Sequence, residues 1–319
     1  MRRHYDIVVI GAGPAGMAAC INASNHGASV ILLDEKSAAG GQIYRGVAQQ
    51  RLADKSILGA EYYHGLDLVE KLDACNADHI TGATVWQIST EREIGVSING
   101  TSHLITADQI IIATGATERP FPVPGWTLPG VMGAGAAQVA LKSGGVLMPD
   151  AVFIGTGPLL YLVAHQYLRA GVPIKAILDT TPRGNWLRAL PFLPSALPQY
   201  GALTKGQRWI KELRAAGIPF IRGVDDVKCI GTNAVEAVKY KKGKHWAQIE
   251  TDYVLLHQGI VPNANLAISA GCKHIWSAAQ LCWHVEVDHW YESDIAGIAV
   301  AGDNAAINGA IAAQHSGEI

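Results

Sequence analysis

The chain has 319 residues, of which 49% are apolar and only 16% charged, with a net charge of −2 and no basic run. This length allows two cores, and the charge balance excludes the electrostatic footprint of a nucleic-acid binder. No apolar run reaches the roughly 20 residues that a membrane span requires, and the five cysteines are scattered without a C-x-x-C, which excludes a redox dithiol or a zinc knuckle, leaves no metal site to expect, and is the usage of a cytosolic protein.

Arg2 and Arg3, ahead of an apolar run that reaches Ala18-Ala19-Cys20, imitate a secretory signal. The glycines inside that run have a better explanation. Tyr5 to Ile10 reads as a buried strand, Gly11-Ala12-Gly13-Pro14-Ala15-Gly16 as a G-x-G-x-x-G turn, and about Ala15 to Asn25 as a helix that Gly27 ends. A second strand, Ser29 to Leu33, runs into Asp34-Glu35. Gly11 permits the tight turn, Gly13 lets the backbone approach a pyrophosphate, and Gly16 lets helix and strand pack closely. The helix start offers free N–H groups and a positive dipole end. An acidic residue about 20 positions on receives the ribose hydroxyls; Glu35 is the first choice and Asp34 the second.

Further along, Ile110-Ile111-Ile112-Ala113-Thr114-Gly115 reads as a buried strand at whose end the chain leaves the FAD domain. Val152-Phe153-Ile154, the turn Gly155-Thr156-Gly157, a helix from Pro158 to Ala170 and a strand from Lys175 to Leu178 ending in Asp179 then repeat the first pattern. Leu160 replaces the third glycine, which pushes helix and strand apart or narrows the site. Asp179 favours a free ribose 2′-hydroxyl over a 2′-phosphate, so NAD is expected over NADP. An adenine nucleotide held structurally, or a scaffold copy that binds no nicotinamide, stays open. Gly155, Gly157, Pro158, Leu159 and Asp179 are the expected contacts of this second site.

Leu255 to Gly259 reads as the return crossing, and Ile295 to Ala301 as a strand followed by Gly302-Asp303 and a helix from about Asn308. An Asp at that strand end can bond the ribitol and a flavin phosphate oxygen. The fold class is therefore α/β, with two Rossmann-like dinucleotide-binding domains, the second inserted in the first: an FAD domain of residues 1–118 and 253–319, and an NAD(P)-binding-like domain of residues 119–252.

This arrangement resembles the thioredoxin reductase-like flavoproteins, and Gly40-Gly41-Gln42 strengthens the likeness. Where those proteins carry a redox C-x-x-C, Leu128 to Ala137 holds no sulfur but Met132; without a thiolate, disulfide exchange is excluded. The strings from Gly40 to Arg45, Ala113 to Pro120, Pro124 to Val131 and Gly155 to Leu160, with Asp179-Thr180-Thr181-Pro182, resemble the A-type flavoprotein subunit of opine oxidases, a type also found in hydrogen cyanide synthase and D-hydroxyproline dehydrogenase. The resemblance implies FAD contacts from Gly11, Gly13, Pro14, Ala15, Gly16, Asp34, Glu35, Lys36, Gly41, Gln42, Val85, Ala113, Thr114, Gly115, Gly302, Asp303 and Ala310. It implies a second flavoprotein subunit of the glycine/D-amino-acid-oxidase type that oxidises a small amino or imino acid, with this chain relaying electrons, and an iron–sulfur element nearby. The family continues into a Cys-rich extension, whereas these residues stop at Glu318-Ile319 without a four-cysteine cluster, so no iron–sulfur binding is assigned to them.

No side chain is assigned as catalytic. There is no G-x-S-x-G, and His257, His274, His284 and His289, which lack metal-binding spacing, read as surface or satisfied core histidines. The flavin is the chemical centre. The apolar, Pro-interrupted stretch from Trp186 to Tyr200, with Leu190 and Phe192, reads as a loop on its own domain or as a subunit-docking face. Trp276, Trp283 and Trp290 read as core or hairpin packing. The leading expectation is a cytoplasmic FAD-dependent oxidoreductase subunit in a heteromeric amino-acid dehydrogenase of opine, hydroxyproline or glycine type. A stand-alone NAD(P)H-dependent flavin oxidoreductase and a structural nucleotide-binding subunit without turnover are the alternatives.

Overall fold

The computed structural model describes residues 2–192 and 200–319. Residues 193–199, the middle of the Trp186–Tyr200 segment, lie outside the described residues. The chain divides into two compact units, one of Met1–Arg51, Gly59–Thr117 and Ile260–Ile319, the other of Leu52–Leu58 and Glu118–Gly259.

The first unit begins with β1 (His4–Ile10), α1 (Pro14–Asn25) and β2 (Val30–Asp34), then α2 (Gly65–Ala74), β3 (Asp78–Thr81), β4 (Ala83–Ile88), β5 (Glu93–Ile98) and the long β6 (Thr101–Ile112). β3, β2, β1 and the C-terminal half of β6 run parallel, while the N-terminal half of β6 pairs antiparallel with β5. Parallel strands are covered on both faces and so read as unbroken apolar runs. Val8, Ile31, Ile110 and Ile112 are accordingly fully buried.

The second unit holds β7 (Val131–Gly133), α3 (Ala134–Gly144), β8 (Ala151–Gly155), α4 (Pro158–Arg169), β9 (Ile174–Asp179), α5 (Tyr200–Ala215), β10 (Phe220–Arg222), β11 (Asp226–Ile230), β12 (Ala237–Lys242), β13 (His245–Glu250) and β14 (Val254–His257). Its parallel sheet has the order β10-β9-β8-β14-β7. Side chains alternate across the sheet. Phe153 and Ile177 pack with Leu160 and Val163 of α4 and Leu213 of α5, whereas Val152 and Ile154 pack with Val227 and Val238 of the antiparallel β11-β12-β13 layer. The return crossing differs from the sequence expectation: β14 joins the second sheet, between β7 and β8, and the division falls after Gly259 rather than at 253. Val254 and Leu255 are both fully buried there and face opposite sides of that sheet.

Back in the first unit, β15 (His274–Ser277) and β16 (Cys282–Val285) form a hairpin, β17 (Ile298–Val300) adds parallel to β6, and α6 (Ala310–Glu318) follows. Trp276 faces Trp283 directly across the hairpin with ring centroids 5.5 Å apart, edge to face. Both are about half exposed and Trp290 more so, so the hairpin reading holds and the core reading does not. Among the described residues no helix is long and apolar enough to cross a membrane.

Phe153 is fully buried and meets Tyr167 edge to face at 5.3 Å. Phe153→Ala is expected to cost about 3–5 kcal/mol, read as a lower urea midpoint for the second unit.

Candidate cofactor site

The first turn is built around glycine. A Cβ on Gly16 would lie 1.8 Å from the Gly11 carbonyl oxygen, and one on Gly11 would lie 2.5 Å from the Ala113 carbonyl oxygen, so neither position accepts a side chain. At Gly13 the space is open, with only Gly41 Cα at 3.9 Å. Pro14 opens α1 and no side chain caps it, the kind of helix start that can meet an anion.

The two acidic residues divide their roles. Asp34 is buried, and its carboxylate accepts from the Ala12 amide at 2.6 Å and from the Lys36 amide at 2.7 Å. It locks the turn against the end of β2. Glu35 is exposed and paired with the flexible Lys36 ammonium.

The structure brings the other predicted residues to the same place. The Gly40 amide donates to the Ala12 carbonyl at 2.8 Å, and Gly41, at φ +58°, lies against Gly13. Ala113 and Ala301 extend the strand ends beside the turn. Thr114 Oγ1 donates to the Asn263 carbonyl at 3.1 Å, just before Gly115 turns at φ +68°. The Gly302 amide donates to Ser316 Oγ at 2.7 Å, and Asp303 Oδ1 accepts from the Asn308 and Gly309 amides just ahead of Ala310, the first residue of α6. Gln42 is exposed and accepts from Arg45, and Val85 sits half-buried on β4 against the core.

Asn304 carries no motif that marks it in the sequence. It is fully buried, its Nδ2 donates to Thr114 Oγ1 and to the Asn263 carbonyl, and its Oδ1 is buried without a partner. It ties the A-T-G strand end to the Gly302-Asp303 loop. The open space at Gly13 and the uncapped helix start fit the pyrophosphate of a dinucleotide such as FAD, and the unsatisfied Oδ1, an acceptor, fits a hydroxyl or N–H donor of such a group.

The second turn is a changed copy. Strand register sets Gly155 and Asp179 where Gly11 and Asp34 stand. Asp179 Oδ1 accepts from the Thr181 amide at 2.9 Å, as Asp34 does from Lys36. By position Asp179 is thus the counterpart of the turn-locking Asp34, and Thr180, whose Oγ1 accepts from Gln258 Nε2 at 2.7 Å, is the counterpart of Glu35. Leu160 is fully buried, and Gly157 takes φ +102° where Gly13 has −77°. Pro158 again opens the helix, with Leu159 half-buried behind it.

Three of the buried cysteines are held as thiols. Burial, with Cys75 beside it, pushes the Cys20 thiol up to about 12, burial pushes Cys229 to about 11, and Cys272 rises for the same reason.

The family model described as Pyridine nucleotide-disulphide oxidoreductase matches residues 5–317. The chain belongs to this family of FAD-dependent oxidoreductases. It is 42% identical over 99% of its length to the A-type opine oxidase subunit of Agrobacterium tumefaciens, and 31% identical over 98% of its length to hydrogen cyanide synthase subunit HcnB of Pseudomonas aeruginosa. It spans 64% of the first relative, under two thirds, and 69% of the second. The fold matches the crystal structure of T. acidophilum thioredoxin reductase with a TM-score of 0.71 at 23% identity, covering 99% of this chain and 96% of that one. Both relatives carry subunit names.

Two outcomes follow from the cradle. Gly16→Ala is expected to abolish FAD retention, read as flavin absorbance per mole of purified protein, because α1 must move off the turn. Glu35→Ala is expected to weaken FAD binding about tenfold or more, the loss of a hydrogen bond to a charged group, measured by flavin fluorescence titration.

Proposed function

We propose that this chain is the electron-relaying FAD subunit of a heteromeric dehydrogenase for secondary amines or amino acids of the opine, hydroxyproline or glycine type. Residues Met1–Thr117 with Ile260–Ile319 act as the FAD domain. The observation that carries the reading is the complete first cradle in a chain whose Leu128 to Ala137 segment holds no nucleophile. When bound, FAD supplies reversible one- and two-electron redox chemistry. The residues of this chain hold and orient it. The Ala12-Gly13-Pro14-Ala15 turn and the start of α1 meet the pyrophosphate, Glu35 the adenosine ribose, and Asp303 the ribitol side. Gly40, Gly41 and Ala310 line the approach, with Gln42, Lys36 and Val85 at its margins.

The oxidation of the substrate C–N bond belongs in this reading to a partner flavoprotein of the glycine/D-amino-acid-oxidase type, with an iron–sulfur subunit or segment between the centres. The names of the relatives support a heteromeric assembly, and the scattered cysteines support a cytoplasmic one. The second unit holds NAD or an adenine nucleotide as a fixed component. Leu160 and the altered Gly157 favour this over a route for hydride entry.

The test is the visible spectrum of the purified chain. Flavin bands are expected, unchanged by NADH alone, and bleached by an opine or proline derivative only once the partner flavoprotein is added. A colourless protein of intact fold, or rapid bleaching by NADH without a partner, would overturn the relay reading.

A further inference from the structure

The internal duplication allows the two turns to be compared position by position. Register sets Gly11 beside Ala113 and Gly155 beside His257. In the first unit that neighbour carries a methyl group, and the space a Cβ on Gly13 would enter holds only backbone at 3.9 Å. In the second unit the matching space at Gly157 is met by the imidazole of His257, with Cδ2 and Nε2 both at 3.7 Å. The approach that the first copy leaves clear carries a ring edge in the second.

That imidazole is held in place. His257 is 2% exposed, and its Nδ1 lies 2.6 Å from Glu118 Oε1. Glu118 in turn accepts from the Gly135 amide at the start of α3, at 3.0 Å and 3.2 Å from its two oxygens. A carboxylate anchored by a helix start accepts and does not donate, so Nδ1 carries the proton. Nε2 has no hydrogen-bond partner among the described residues and faces the turn. Beside it begins α4, twelve residues long, with Pro158 first and no side-chain cap. A helix start and a buried imidazole thus converge on one point; the helix start favours negative charge there, and the ring does so once Nε2 is protonated as well. The ribose position offers no charge at all, since Thr180 stands where the first copy has Glu35.

We propose that His257 is a phosphate-binding residue of the second site: its ring takes up a second proton, at Nε2, as the ligand binds, and this Nε2–H donates to the diphosphate of a nucleotide seated on Gly155-Thr156-Gly157, with Glu118 as the positioning residue whose carboxylate stabilises the imidazolium. The second copy then selects its ligand at the phosphate, where the first also clamps the ribose. This rests on the reading that the second unit binds a nucleotide. ADP and NAD⁺ both carry the diphosphate; adenosine does not.

The test is calorimetric titration of the full FAD-loaded chain with ADP, NAD⁺ and adenosine. His257→Ala is expected to weaken whichever diphosphate ligand binds by about tenfold or more, with flavin content unchanged and the affinity ratio of that ligand to adenosine collapsing. Glu118→Gln is expected to lower the same ratio by a smaller factor. If wild type binds neither ADP nor NAD⁺, the nucleotide reading of the second unit fails, and this inference with it. If wild type binds and His257→Ala binds as well or more tightly, the inference alone fails, the tighter outcome meaning that the ring obstructs the turn. An equal loss for adenosine also overturns it, marking a structural role. Should the alanine variant not fold, His257→Gln carries the test: a neutral donor is expected to bind the diphosphate ligand more weakly than wild type, and parity overturns the proposal.

Discussion

The closest approach in the first unit is that of α1 to the turn below it. Gly16 sits so near the Gly11 carbonyl that a methyl group would overlap it at 1.8 Å. The same layer continues on the other side of α1, where Gly317 of α6 faces the Ala15 carbonyl and Gly302 faces the Ala15 side chain, each too closely for a Cβ without displacement. Both ends of the chain therefore meet across Ala15. The start of α1 and the start of α6 come to one site only because four glycines carry no side chain there. The polar locks, Asp34 on Ala12 and Ser316 on Gly302, then hold the geometry that the glycines permit.

The second unit shows what happens when one element of such a turn is exchanged. Leu160 fills the fully buried space between α4 and the sheet, packing with Phe153, Ala134 and Ala137. A buried leucine stabilises by about 1.5–3 kcal/mol through its apolar burial, so this unit gains core where the first gains proximity. The backbone adjusts, with Gly157 at φ +102° and the Thr156 amide donating to the His257 carbonyl at 3.0 Å, while the matching Ala12 amide donates to Asp34. Thr156 and Thr181 join through their hydroxyls at 2.7 Å. The copy keeps the topology and replaces the carboxylate lock, leaving Asp179 to Thr181 and the Arg222 guanidinium.

Reactivity in this chain is a matter of placement. The thiols of Cys20, Cys229 and Cys272 are buried and held protonated, and the buried carboxylates serve backbone amides or, in Glu118, an imidazole as well. A protein built this way supplies position and fixed dipoles to a bound redox group, whose own chemistry does the rest.

The fold class and the first cradle were legible in the sequence because they depend on local rules. A strand of branched residues, glycines at the first, third and sixth positions of a turn, and an acid at the next strand end constrain neighbours a few residues apart, so spacing alone reports them. Asp34 and Glu35 show the limit. Adjacent and chemically alike, they are separated only by strand direction, which sends one inward to the turn and the other to solvent. The roles of Asn304 and His257 depend on partners 139 to 190 positions away, Thr114 and Glu118, and carry no local signature. For the same reason β14 could be recognised as a buried strand but not assigned to a sheet: its composition fits either, and only the packing of Val254 and Leu255 against opposite layers decides it. The sequence by itself determined two glycine-rich strand–turn–helix motifs and the absence of a C-x-x-C between them. The tertiary structure decided which side chains enter those turns, because that depends on which distant strand lies alongside.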